Sequence, residues 1–268
     1  MTNAPARLPG PDVPSGMEKA RTPAAPAAPR IAPGGTWGAF YQWAGVCSVL
    51  FVVLLVVALV LDFIAPPPVH GGAATLEFIG RNKAIYTAEQ LLWTVPNILP
   101  VPVFAALFLA LAPLGRSLAL LGALTGGLSW ALILAIPVTS RGSLVLIYLS
   151  DRYLEAPDDA ARLRYATAAE AVIAENNTPA VAGVLSAAGI LLISVVMARG
   201  VLPRPAAWLG IAAGSLGLAA EALRHVVPEL YGGYGILMWA WFVTVGIALV
   251  RLGRRTSGGS SAVPAPRV

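Results

Sequence analysis

Residues 49–61 read Val-Leu-Phe-Val-Val-Leu-Leu-Val-Val-Ala-Leu-Val-Leu, thirteen positions without a polar side chain. With their neighbours they make an apolar stretch over about 38–64. A helix rising about 1.5 Å per residue needs roughly 20 apolar residues to cross a hydrocarbon core about 30 Å thick, and this stretch supplies them. Trp37, Tyr41 and Trp43 stand at its start, where amphipathic rings favour the membrane–water interface. Asp62 and Pro66-Pro67-Pro68 end it. Five further stretches read the same way, at about 91–111, 118–138, 179–198, 206–223 and 231–250. The expected fold is an all-α, polytopic transmembrane bundle of six spans.

Composition agrees. Hydrophobic residues form 57% of the 268 and charged residues 12%, with mean hydropathy +0.74. A soluble domain carries about twice that share of charge. The distribution of charge tests the threading independently. One side receives Asp12 and Glu18 among 11 Lys or Arg, and the other receives 11 acids among 7 basic residues. This positive-inside bias expects both termini in the cytoplasm of a cell whose inner (plasma) membrane holds the chain. Arg outnumbers Lys 16 to 2 amid abundant Ala, Gly and Pro, which points to a GC-rich bacterial genome. The net charge of +5 sits in cytoplasmic loops, so membrane lipid rather than nucleic acid is the expected partner.

Residues 1–35 read as a disordered cytoplasmic Pro/Ala-rich tail without the apolar core of a signal peptide. Residues 36–255 form the membrane domain, and 256–268 a second disordered tail. Within the second span Pro96, Pro100 and Pro102 remove backbone donors, so a kinked or unwound helix is expected, with freed carbonyls that need partners. Asp158 and Asp159 open an outer helical segment at about 159–175, and Asn177-Thr178-Pro179 caps the fourth span. The run Leu144 to Leu149 is too short to span and is expected to lie on the surface or to extend the third helix outward.

Small residues recur at four-residue spacing in Gly122/Gly126, Gly183/Ala187 and Gly210/Gly214, the spacing at which helix backbones approach closely. Packing within the bundle is the plainer reading and a dimer contact the sharper one. The lone cysteine, Cys47, excludes an internal disulfide and a Cys-based metal site. His70 and His225 would have to converge to hold a haem or metal, and nothing in their spacing demands it. No cofactor or metal is expected. The sequence lacks HExxH, GxSxG and P-loop patterns, so a catalytic residue is not assigned and an enzyme is the less favoured class.

The polar residues at the outer end of the bundle are the ligand-binding candidates: Glu89, Asn97, Arg141, Glu221, Arg224 and His225. They share one membrane level in the threading and qualify as a site if they face the bundle interior. At the interface they would simply be solvated.

The stretch 198–214, Ala-Arg-Gly-Val-Leu-Pro-Arg-Pro-Ala-Ala-Trp-Leu-Gly-Ile-Ala-Ala-Gly, combines a short basic turn, a Leu-Pro-Arg step and a Trp-Leu-Gly opening to the next helix. It resembles a bacterial family of six-helix membrane proteins, frequent in actinobacteria and known only as a domain of unknown function. The resemblance extends over residues 40–252. It implies six spans with inside termini and brings no reaction or ligand. The expected function is an inner-membrane protein that binds a small molecule or lipid in an outward-facing polar pocket, or serves as a protein partner or homo-oligomer. A small-solute transporter is the alternative, and a membrane enzyme using outer carboxylates a weaker one.

Overall fold

A computed structural model of the chain describes residues 37–65, 71–135, 138–139, 142–176 and 181–258. Both expected tails lie largely outside them, as does the cap at Asn177-Thr178-Pro179. The helices are α1 Gly38–Ile64, α2 Gly72–Arg81, α3 Lys83–Thr94, α4 Pro100–Ala135, α5 Val145–Leu154, α6 Asp159–Asn176, α7 Val181–Met197, α8 Arg204–Ala222 and α9 Glu229–Gly258. A 3-10 turn, Val95–Ile98, joins α3 to α4, and two-residue strands β1 Val138–Thr139 and β2 Gly142–Ser143 pair antiparallel. Among the described residues the protein is all-α apart from that small hairpin. Among these residues three stretches are long and apolar enough to cross a membrane, Gly38–Ile64, Lys83–Ala135 and Glu229–Ser257, which marks a membrane protein.

The middle stretch is not one rod. The backbone leaves the helical region at Gly115 (φ 176°, ψ 76°), just after Pro113. Gly126 packs on the Phe104 ring, although a straight helix would hold these residues roughly 33 Å apart. Residues 100–114 and 116–135 therefore run antiparallel, and Gly115 is the reversal. Arg199, in the turn after α7, donates from Nη1 to the Leu114 carbonyl at 3.3 Å and covers the broken helix end. Nearer the start of the same stretch, the Asn97 amide nitrogen donates to the carbonyls of Trp93 (2.7 Å) and Thr94 (2.8 Å). The expected unwinding at Pro96 is thus observed, and the chain satisfies it from within.

Apolar periodicity sets the inward faces. In α1 the buried positions Ala44, Ser48, Phe51, Leu55, Ala58 and Asp62 alternate spacings of four and three. In α9 Tyr234, Met238, Trp241, Val245 and Ala248 do the same. Such stripes seat helices against one another over their length. The packing order closes a ring: α1 on α9, α9 on α8, α8 on α7, α7 on α4, and α4 back on α1. Five aromatic rings fill its centre. Phe242 lies 4.9 Å from Phe51, 5.7 Å from Trp130 and 5.0 Å from Trp241, all edge-on, and Phe104 completes the set at 6.4 Å.

The small-residue pairs are contacts within this ring. Gly122 and Gly126 meet Ile193 and Gly189 of α7, Gly183 and Ala187 meet α8, and Gly210 and Gly214 meet α7 and α9. At Gly189 an added Cβ would collide with the Gly126 backbone, which cannot rotate aside. Gly189→Ala is expected to destabilise the bundle by about 1–3 kcal/mol. Gly235→Ala, where a Cβ meets nothing, should be neutral or slightly stabilising. Thermal unfolding in detergent compares the two.

Several expectations need correction. Within the third expected span, 118–138, the helix is described to Ala135, and residues 136 and 137 lie outside the described residues. α9 continues to Gly258, past 250 and into the expected tail, where Thr256 and Ser257 hydroxyls bond back to Gly253. Leu144 to Leu149 does not extend the third helix, and it exposes one face, Val145 and Tyr148, while burying the other. It enters α5, whose Leu146 and Leu149 join a second hydrophobic core with Leu76, Ile79, Tyr86, Ala169 and Ile173. This core makes a cap of α2, α5, α6 and the start of α3. α2 had no counterpart in the hydropathy reading. The outer segment expected at 159–175 matches α6, whose first turn is capped by Asp158 Oδ1 accepting from the Ala161 amide at 2.7 Å. Ser150 donates to the Leu76 carbonyl at 2.6 Å, and Lys83 pairs with Asp151 at 2.7 Å, closing the cap.

Candidate functional site

Glu221 occupies the inward stripe of α8. Ala207, Gly210, Gly214, Gly217 and Glu221 follow alternating three- and four-residue steps, so the last of them carries a carboxylate into packed surroundings. Glu221 is 1 % exposed. Gly183 of α7 makes the room, since any side chain there would overlap the carboxylate. The helix ends two positions before Arg224, and the turn folds that side chain back. Arg224 Nη1 stands 3.4 Å from Glu221 Oε2, with the guanidinium side chain only 10 % exposed. Its guanidinium carbon lies 4.6 Å from the Tyr231 ring centroid, a stacked arrangement that favours a delocalised cation. Tyr231 in turn meets Tyr234 edge-on at 6.0 Å, and the Tyr234 and Ser186 hydroxyls lie 3.2 Å apart. One carboxylate, one guanidinium and three hydroxyls thus gather where α7, α8 and α9 meet.

A second polar group forms around α3. Glu89 is 0 % exposed, and the Gln90 amide donates to its Oε1 at 3.3 Å. Tyr86, one turn earlier, accepts from the Ser143 amide at 3.1 Å and so ties α3 to β2. Asp62, near the end of α1, is also buried, and α1 packs along α3.

Five of the six expected site residues are described. Glu221 and Arg224 are brought together. Glu89 sits in the group around α3, which packs on α1 rather than on α8. Asn97 is buried below it, with both amide hydrogens committed to its own turn. His225 is exposed in the turn after α8. Arg141 lies outside the described residues, as does His70. Among the described residues no group of three His, Cys, Asp or Glu side chains can hold a metal ion. Ser186, Tyr231 and Tyr234 were missed by the sequence reading, as was the burial of Asp62. Laying a 3.5-residue repeat over α1, α8 and α9 would have found Asp62, Glu221 and Tyr234 on inward stripes. The same repeat runs back to Tyr231, three residues before Tyr234, although its contact with Arg224 depends on the turn between α8 and α9.

A family model described as a domain of unknown function (DUF4386) matches residues 45–253. The chain belongs to that family. The extent agrees with the resemblance read over 40–252, and all six expected site residues fall inside it. Searches of curated proteins and of solved structures each found no match.

In this DUF4386 chain the α7–α9 cluster combines groups that recognise opposite charge and hydrogen-bonding partners. A buried carboxylate and guanidinium are costly to desolvate, and a pair recovers that cost only with close geometry and further hydrogen bonds. The Arg224 guanidinium stacked on the Tyr231 ring is one contact that offsets it.

Proposed function

We propose that the protein is a six-span bacterial inner-membrane protein, with both termini cytoplasmic, that binds a small molecule or lipid at the outer ends of α7, α8 and α9. Six spans follow if α1, α3 with residues 100–114, residues 116–135, α7, α8 and α9 each cross once. The reversal at Gly115 supports that count, and an even count returns the chain to the side where it began. Arg116, Arg199, Arg204, Arg251, Arg254 and Arg255 then share the cytoplasmic end. The observation that carries the binding reading is the burial of Glu221 against Arg224. Ionisable groups that face a bundle interior are costly and mark functional sites by default.

Native mass spectrometry of the protein in nanodiscs, prepared with lipid from the producing cell, tests this. The wild type is expected to carry a reproducible added mass beyond bulk lipid, lost in both Glu221→Gln and Arg224→Gln. A wild type with no such mass sinks the reading and turns attention to a protein partner or homo-oligomer.

A transporter is the second reading, favoured by one feature. The 3-10 turn at Val95–Ile98 interrupts a membrane helix beside the buried Asn97, as broken helices do at transport sites. Solute flux into proteoliposomes under a proton gradient would establish it. Against it stands the aromatic plug at the ring centre.

A further inference from the structure

The other face of the bundle carries a groove of about 480 Å³ between α1 and α9, well away from the Glu221 cluster. Its floor exists because Gly45 and Gly246 face each other, a Cβ on Gly246 falling 2.8 Å from the Gly45 carbonyl oxygen. Val46, Leu50 and Val53 from α1 and Ile247 from α9 form its walls and are exposed. Arg251 and Arg254 close one end. They are three residues apart on one face of α9 and follow Ile247 and Val250 by four, so the apolar wall runs directly into the guanidinium pair. Both are exposed, and among the described residues no acidic side chain pairs with either.

The dimensions and the level of the groove narrow its occupant. The helices are antiparallel, with Gly38 against Gly253 as well as Gly45 against Gly246. The level of Arg254 is therefore about that of Trp37, and Arg251 about that of Phe40. From there to Val53 is about sixteen residues of helix, or roughly 24 Å. One leaflet with its headgroups measures about 20–22 Å. Trp37 and Trp43, 47 % and 57 % exposed, stand at the same end as the arginines, where aromatic side chains mark the headgroup layer.

We propose that this groove seats one anionic phospholipid, its phosphate between Arg251 and Arg254 and one acyl chain along Val46, Leu50 and Val53. A zwitterionic lipid would satisfy the apolar wall but leave the net positive end uncompensated. A second copy of this chain would bring its own arginines against Arg251 and Arg254 if it used the same face, which like-charge repulsion disfavours. A membrane phospholipid with net negative charge meets both demands.

The test is native mass spectrometry after reconstitution in equal parts phosphatidylcholine and phosphatidylglycerol. The wild type is expected to retain phosphatidylglycerol in preference. In Arg251→Gln/Arg254→Gln the preference should drop roughly thirty-fold, about 1 kcal/mol for each guanidinium at a lipid surface. Leu50→Trp keeps every charge and fills the groove from an exposed wall position, so it should lose the bound lipid as well. Arg204→Gln, a cation on α8 at the same end, should leave it in place, and so should Glu221→Gln, which separates this site from the one proposed above. Equal retention of the two lipids by the wild type overturns the proposal. So does a Leu50→Trp variant that keeps the preference, since the attraction is then diffuse. A lipid-free dimer that Leu50→Trp dissociates would give the groove to a second copy instead.

Discussion

Arg224→Ala is expected to cost about 3–5 kcal/mol of stability, the range for removing one partner of a buried ion pair. Glu221, 1 % exposed with Arg224 in place, would keep its position among small residues of α7 and α8, with the Arg224 charge gone and the Tyr231 face bare. The double variant Glu221→Leu/Arg224→Leu removes both charges and is expected to recover most of that stability. It would not recover ligand binding. Equilibrium unfolding of the three proteins, with the bound mass read on the same samples, separates the two roles. Equal stability of wild type and Arg224→Ala would show that the pair contributes nothing to holding α8 against α9.

Phe242→Ala is the other large expected effect, again about 3–5 kcal/mol. Phe242 is fully buried, touches Phe51, Trp130 and Trp241 edge-on, and its backbone carbonyl accepts from Ser48 Oγ at 2.6 Å. Between membrane helices the loss is mainly of packing, because lipid is as apolar as the side chain removed. The cavity would lie where four helices meet, so relaxation of one neighbour cannot fill it. Phe63→Ala serves as the comparison, since Phe63 projects outward from α1 and should change stability little. Chemical unfolding in mixed micelles reads both.

Much of this fold was legible in the chain. The uninterrupted run 49–61 announces α1, and Asp158 with its cap on Ala161 announces α6. The prolines at 96 and 100 mark where the second membrane stretch unwinds, and the structure unwinds there. α2 was not legible, because ten residues of mixed polarity become a helix face only once Leu76 and Ile79 meet Leu146 and Ala169 far along the chain. The site was half legible. Glu221 and Arg224 are adjacent on a helix and its turn, so proximity follows from sequence spacing. Their link to Tyr231 depends on the angle at which α9 leaves that turn, and no local pattern specifies it. Glu89 and Glu221 share a level in a threading that carries depth but no information on rotation around the bundle. That Glu89 belongs with α3 and α1, and Glu221 with α7 and α9, could not be read.

The cap is built from two lengths of chain that lie on either side of α4. Tyr86 meets the Ser143 backbone 57 positions later, and Leu76 accepts from Ser150 74 positions later. Between these partners lies the helical hairpin that reverses at Gly115. During synthesis the cap therefore cannot close until the chain has been made as far as Ser150. Closure then ties the two ends of the hairpin together, so a hairpin that fails to form leaves an open cap with its apolar residues uncovered. In the six-span arrangement proposed above, a closed cap on one side of the membrane would report that assembly within it has succeeded.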